Sequence, residues 1–336
     1  MRVRNIDGQE YWLPNVLNDF QLGMYVHLIN WKWENITEER GISGGFEYDA
    51  ILPKRYAEEL RVLNPKLVAV TRAHHQRLPF RIHKYFNHMA SSQAANINLF
   101  LPILLNYRVD AILGDLNPKF ARLATDHLDD GWRIEFWDEP FGTLADKNAV
   151  SGTDADMAIA YYNHDGDLCL WLVEHKLTEP EFTPCGGFTS KGRKERHDCT
   201  RNFDDILKAK STCYYHDVKK FNYWNITDAN RDFFVNHATH IQCPFQDGMN
   251  QLWRNQLMAL AIEQDERPPY EHAHFSVVRH AGNKALNESL AGYEHLIDSN
   301  PNFTTLTSTE IIDAAERHGD QGLQEWIDWY RQLYQL

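Results

Sequence analysis

No apolar run in the chain approaches ~18 residues, so no transmembrane helix is expected. The opening stretch MRVRNIDGQEYWLP lacks the apolar segment of a secretory leader. Cysteine is scarce, five in 336 residues, and no two form a C-x-x-C pair. A disulfide framework and a zinc ribbon are thereby excluded as organising devices, and the reducing cytoplasm is the expected location. Positive charge is in deficit: 34 Lys and Arg against 47 Asp and Glu leave a net −13. That balance excludes a surface that coats nucleic acid everywhere, but it leaves room for a local basic groove. Internal repeats and low-complexity tracts are missing too.

What is present is the composition of an ordinary globular protein, 43% hydrophobic and 24% charged, with 10 Trp, 15 Tyr and 17 Phe to fill a sizeable core. The length suits one large domain or two modest ones. A Gly-rich turn in GISGGFEYDAILPKRYAEEL leads to a short strand at Tyr48 to Leu52 and then a helix. Residues 61–90 carry Arg and His, including His74 and His75, which read as surface or phosphate-facing, with metal binding the alternative. SSQAANINLFLPILLN predicts a helix from about Gln93 to Leu105, bent at Pro102. WRIEFWDEP, residues 132–140, alternates as a strand does. The residues 156–176 read as a hairpin, two apolar runs about His164-Asp165-Gly166-Asp167. Further on come a helix at Gln251 to Ile262, a strand at residues 274–280, a helix in NKALNESLAGYEHLI, a strand and helix capped by Ser308 or Thr309, and a closing amphipathic helix. This order implies an α/β layer with a mixed sheet.

The second hairpin run, LCLWLVEHK, is apolar on both faces, as a central strand should be. It nevertheless ends in Glu174 and Lys176. Side chains alternate along a strand, so these two share a face and His175 points the other way, which makes it structural. Antiparallel pairing sets the start of the first run, Asp156, beside the end of the second, Glu174. Two carboxylates and a backbone carbonyl make a hard oxygen site of the kind Mg²⁺ accepts. A lysine two residues on orients a metal-bound water or helps deprotonate it.

Asp156, the hairpin and Glu174-His175-Lys176 resemble the PD-(D/E)XK nuclease superfamily, of restriction-endonuclease-like fold. YDAILP, SSQAANINLFLPIL, GTDAD, EHKLTEPEF, CPFQDGMNQLWRNQLMA, HFSVVRH and LTSTEI extend the resemblance over roughly residues 45–315, towards bacterial proteins related to RecB-type nucleases. The resemblance implies a mixed β-sheet flanked by helices, with an N-terminal extension at 1–60 packed on a nuclease domain at 61–336 and a cysteine-bearing insertion at about 180–247. It implies metal-dependent hydrolysis of phosphodiester bonds, DNA before RNA, in defence, restriction or repair, with Mg²⁺ or Mn²⁺ as cofactor.

Carried over residue by residue, the catalytic set is Asp156, Glu174, Lys176 and Gln251, with Asp154 the rival for the first acid. Glu139 is a further candidate metal ligand beside Asp156 and Glu174. Arg254 and Asn255 lie one helical turn beyond Gln251 and are assigned to substrate. The RecB-type pattern calls for a tyrosine four residues after the glutamine, and Asn255 stands there instead. Arg193, Lys194 and Arg196 open a basic strip over residues 191–220, nine Lys and Arg against five Asp and Glu, suited to phosphate contacts. Cys185, Cys199, Cys213 and Cys243 all follow the motif. RecB-type nucleases that hold a four-cysteine iron–sulfur cluster place one cysteine ahead of it, so a 4Fe–4S cluster, Zn²⁺ (with His197 or His216) and four unlinked thiols all stay open. Cys169 reads as core. Two other classes also stay open: a DNA-binding module without catalysis, and a cluster-carrying interaction protein.

Overall fold

The computed structural model describes residues 2–137, 142–147, 152–267 and 269–336. Near the N-terminus, β1 (Arg2–Ile6) and β2 (Gln9–Leu13) form a hairpin, followed by α1 (Asp19–Asn35). Asn18 caps α1 through a reciprocal pair with Gln21. A second small hairpin joins β3 (Gly41–Ser43) to β4 (Phe46–Tyr48) through Gly44 and Gly45. Both glycines have φ > 0 (58° and 81°), which a two-residue turn with the right twist demands. The strand expected at Tyr48 to Leu52 thus ends where it was expected to begin. The cause is Asp49, whose buried carboxylate accepts the Trp12 N–H at 2.6 Å and pairs with Arg40 at 2.7 Å, which turns the chain out of line. Ile51 keeps a single bridge to His88.

α2 (Val68–Arg77) buries His74, contrary to the surface reading of that stretch. Its ring bonds Asp129 through Nδ1 at 2.7 Å and accepts the Ile134 N–H through Nε2 at 3.2 Å. α3 (Ser92–Leu104) follows, capped by Ser91, with Pro102 in its last turn; α4 (Val109–Leu116) comes next. Then the main sheet assembles from β5 (Phe120–Leu123), β6 (Trp132–Phe136), β7 (Ala155–Asn163), β8 (Leu168–Lys176), β9 (His272–Arg279) and β10 (Phe303–Thr307). Strand order is β10-β9-β8-β7-β5, with β6 also on β7. β8 runs antiparallel to β7 and parallel to β9, so the sheet is mixed. Among the described residues this is a six-stranded α/β sheet flanked by helices.

All nine residues of β8 are buried because the sheet has a core on each face. Cys169, Trp171 and Val173 enter one, with α3 and the C-terminal helices α6 (Ser308–His318) and α7 (Gln321–Tyr334). Leu170 and Leu172 enter the other, against α5 (Met249–Gln264) and aromatic residues of the 177–247 segment. There Phe245 stacks flat on Trp253, ring centres 4.1 Å apart. The cap of α6 is Thr307, one residue ahead of the expected pair; it closes a capping box with Glu310.

Candidate active site

The period-two alternation of β8 fixes the site. Glu174 and Lys176 fall on the face of Leu170 and Leu172, which α5 covers, and His175 falls on the other, 3.4 Å from Ser308 Oγ. The β7–β8 register pairs Met157 with Val173, and one further step sets Asp156 level with Glu174. The β6–β7 register pairs Ile134 with Met157 and Phe136 with Ala155, so Glu135 is level with Asp156 in turn. Three carboxylates therefore stand in a row across three adjacent strands.

Glu174 is 4% exposed, and the protein engages both its oxygens. Gln251 Nε2 donates to Oε1 at 2.6 Å and Asn255 Nδ2 to Oε2 at 2.8 Å. Lys176 Nζ stands 2.9 Å from Oε1. Burial alone would lower the Lys176 pKa, but the charges of Glu174, Glu179 and Asp156 outweigh it and hold the ammonium above its usual range. Lys176 is thus held cationic beside Glu174. Asp156 Oδ2 accepts the His175 N–H at 2.6 Å, and its carbonyl accepts Asn96 Nδ2 at 3.0 Å.

Glu135 was not found by sequence reasoning, which offered Glu139; that residue lies outside the described residues. Glu135 has φ 51°, a left-handed conformation that is costly for a side chain of this size and concentrates at functional sites. Its carboxyl is hydrogen-bonded by Gln93 and pushed up to about 8, first by burial and then by the charge of Asp154. Burial, then Glu174 and Glu135, push Asp156 well above the usual carboxylate range. The one signal available was an acid inside a strand of apolar neighbours, Trp132, Ile134 and Phe136.

Asp154 is ion-paired with Lys147, while Asp156 is the acid level with Glu174. Arg254 contacts neither Glu174 nor Lys176. Its Nη1 lies 3.4 Å from Thr153 Oγ1, and that hydroxyl donates to Asp146 at 2.5 Å, as does the Tyr223 hydroxyl at 2.6 Å. Arg254 therefore braces the approach to β7. Arg193 donates to the Phe188 and His197 carbonyls, and Arg196 pairs with Asp217. Lys194, like Lys191, Lys219 and Lys220, is exposed and has no ion-pair partner among the described residues.

Cys185, Cys199, Cys213 and Cys243 gather in one neighbourhood. Each of Cys185, Cys199 and Cys213 lies within electrostatic reach of Cys243, and burial raises all four thiols. Backbone N–H groups two and three residues on donate to sulfur: Gly187 and Phe188 to Cys185, Tyr215 and His216 to Cys213, Phe245 to Cys243. His197 is committed elsewhere, accepting the Lys194 N–H on Nδ1 and bonding Asp217 through Nε2, both at 2.8 Å. All five cysteines are free, and Cys169 lies in the core. Among the described residues no three His, Cys, Asp or Glu side chains already stand in a geometry that holds a single metal ion. Of the carboxylates, Glu174 has both oxygens engaged by protein donors. The carboxyl set suits a hard cation, since its donors are all oxygen.

A mixed sheet covered by helices, with acids and a lysine gathered at the end of its central hairpin, defines a restriction-endonuclease-like protein. A family model described as Restriction Endonuclease associating with ARP (REase-ARP) matches residues 26–335, and the chain belongs to that family. Neither a curated protein nor a solved structure matches it. No helix among the described residues is long and apolar enough to cross a membrane.

Proposed function

We propose that the protein is a metal-dependent nuclease of PD-(D/E)XK type that hydrolyses phosphodiester bonds, in DNA before RNA, in a defence or restriction setting. The observation that carries this reading is the row of Glu135, Asp156 and Glu174 beside the buried Lys176. Lys176 offsets part of the charge at Glu174, and the repulsion that remains among the three carboxyls is what a divalent cation would relieve. Asp156, Glu174 and Glu135 would hold Mg²⁺ or Mn²⁺. Such an ion, when bound, would lower the pKa of a water and offset charge on a phosphoryl oxygen. Gln251 and Asn255 fix the orientation of the Glu174 carboxylate. The His175 N–H does the same for Asp156. Lys176, held cationic, stabilises charge that builds on the phosphate. Unpaired lysines of the 191–220 strip draw the nucleic-acid backbone towards the site.

The four cysteines of this neighbourhood would suit either an iron–sulfur cluster or Zn²⁺.

The test is cleavage of single- and double-stranded DNA with Mg²⁺ or Mn²⁺, by wild type and by Lys176→Ala and Glu174→Ala. Metal-dependent cutting that both substitutions abolish supports the reading. Metal-independent binding without cutting on any substrate favours a DNA-binding module instead. Iron, acid-labile sulfide and zinc contents of anaerobically purified protein decide the cysteine site.

A further inference from the structure

Against the segment that follows Lys176 lies a cavity of about 400 Å³. Its walls include Tyr25 of α1, Tyr48 of β4, His83, Tyr85 and His88 of the loop before α3, and Glu179 just after β8. It is tied to the acid row in three ways. Thr178 and Glu179 are the second and third residues past Lys176. Ser91 and Ser92, also on the wall, open the helix whose Gln93 and Asn96 hold Glu135 and Asp156. His83 lies within electrostatic reach of both Glu179 and Lys176. On the nuclease reading, a strand with its phosphate at the acids would bring a neighbouring nucleotide towards this cavity.

The lining selects among ligands. Glu179 carries a carboxylate on the wall, and its Oε2 accepts the Leu177 and Thr178 N–H groups, at 2.9 and 3.0 Å. Its Oε1 has no protein partner among the described residues. His88 is neutral, held down to about 4 by burial, and Nδ1 accepts the Ala90 N–H at 3.0 Å. Its proton therefore sits on Nε2, a donor without a protein partner among the described residues. The Tyr25 hydroxyl also has none. A carboxylate and a neutral imidazole disfavour a phosphate. Unpaired donors and an acceptor between aromatic rings disfavour a lipid chain. They suit a flat heterocycle with both donors and acceptors on its edge. The volume is that of a small-ligand pocket and admits one nucleoside, not a base pair.

We propose that this cavity takes one unstacked nucleobase of the substrate strand, next to the phosphate being cut. The proposal rests on the nuclease reading and adds a base-selective step to it. The rings stack on the base, Glu179 accepts from its amino or imino N–H, and His88 and Tyr25 donate to its ring nitrogens or carbonyl oxygens.

The experiment uses the full chain as Lys176→Ala, so that the strand stays whole, with single-stranded oligonucleotides carrying one abasic site at successive positions. Affinity is measured by fluorescence anisotropy, and wild-type cleavage is followed in parallel. The abasic site is expected to weaken binding at one position by about 5- to 100-fold, the worth of one stacked base. Adding Tyr25→Phe or Glu179→Gln, both mild changes, is expected to shrink that difference severalfold. Equal binding of intact and abasic strands at every position overturns the proposal, and so does a difference that both substitutions leave untouched. If wild type still cuts in either case, only the pocket falls. If wild type neither cuts nor binds nucleic acid, the nuclease reading falls with it.

Discussion

Asn255 Nδ2 donates to Glu174 Oε2 at 2.8 Å, across 81 residues of sequence, with both side chains buried. The residue that departs from the RecB-type pattern thus completes the shell of the acid in place of the expected tyrosine. Asn255→Ala leaves a buried carboxylate oxygen unpaired, a loss of about 1–3 kcal/mol. Gln251→Ala removes one of the two partners of Oε1, which keeps Lys176 Nζ at 2.9 Å, so the loss is expected to be smaller. Urea unfolding curves are expected to show midpoints that fall in both variants with unchanged slope. Asn255→Asp, which sets two carboxylates against each other, is expected to be worse than alanine; a milder effect would show that Asn255 does not act as the donor.

Lys176 and Glu174 are expected to separate chemistry from folding. Lys176→Met removes the charge and keeps the stem against Phe182, whose ring centre lies 5.8 Å from Nζ. Cleavage is expected to drop by about 10²- to 10³-fold, the usual worth of one preorganised group at developing charge. Binding to DNA is expected to change little. Initial rates under saturating substrate check the first point and anisotropy the second. A variant that binds tenfold less tightly but cuts at the wild-type rate would reassign Lys176 to substrate binding.

The acid row gives the metal-free protein a pH dependence of known sign. Glu135 is pushed from 4.5 up to about 8 by burial and then by Asp154, and Asp156 moves the same way. A carboxyl whose folded pKa exceeds its unfolded value binds more protons folded than unfolded in between. Its contribution to stability is complete below the unfolded pKa and is lost as pH rises through the folded one. Thermal melts in chelator are therefore expected to show falling stability from about pH 5 to about pH 9. Asp156→Asn removes a repelling charge and flattens that slope. A melting temperature that climbs across the interval would contradict the arrangement of the acids.

Away from the site, Asn98 is a structural tie. Its Oδ1 accepts the Asn64 N–H at 2.9 Å, and its Nδ2 donates to the Val62 carbonyl at 3.1 Å and the Tyr334 hydroxyl at 3.0 Å. It joins α3 to the segment before α2 and to the last helix. Asn98→Leu is expected to destabilise by about 1–3 kcal/mol for each buried group left unpaired, read from denaturant midpoints. A neutral result would mean that water satisfies those groups.

Much of the site was legible locally. The turn around Gly166, with φ 94°, and the two strands it joins follow from Asp-Gly between apolar runs. Glu174 and Lys176 share a face with His175 opposite because a strand alternates, whatever surrounds it. The helix carrying Gln251 runs Met249–Gln264 around the expected span. Other expectations failed where a distant partner intervened. Asp49 ended a strand by bonding Trp12 and Arg40, and His74 was drawn into the core by Asp129.

The sequence by itself determined the elements and the periodicity that puts acid and lysine on one face, since backbone geometry sets both. Only the tertiary structure decided which chain segments met there. Strand order brought Glu135 level with Asp156, helix packing turned Asn255 onto Glu174, and the folding of residues 177–247 gathered four thiols from positions up to 58 residues apart. Those meetings depend on burying apolar faces across long sequence separations, and local pattern does not encode the partner of a face.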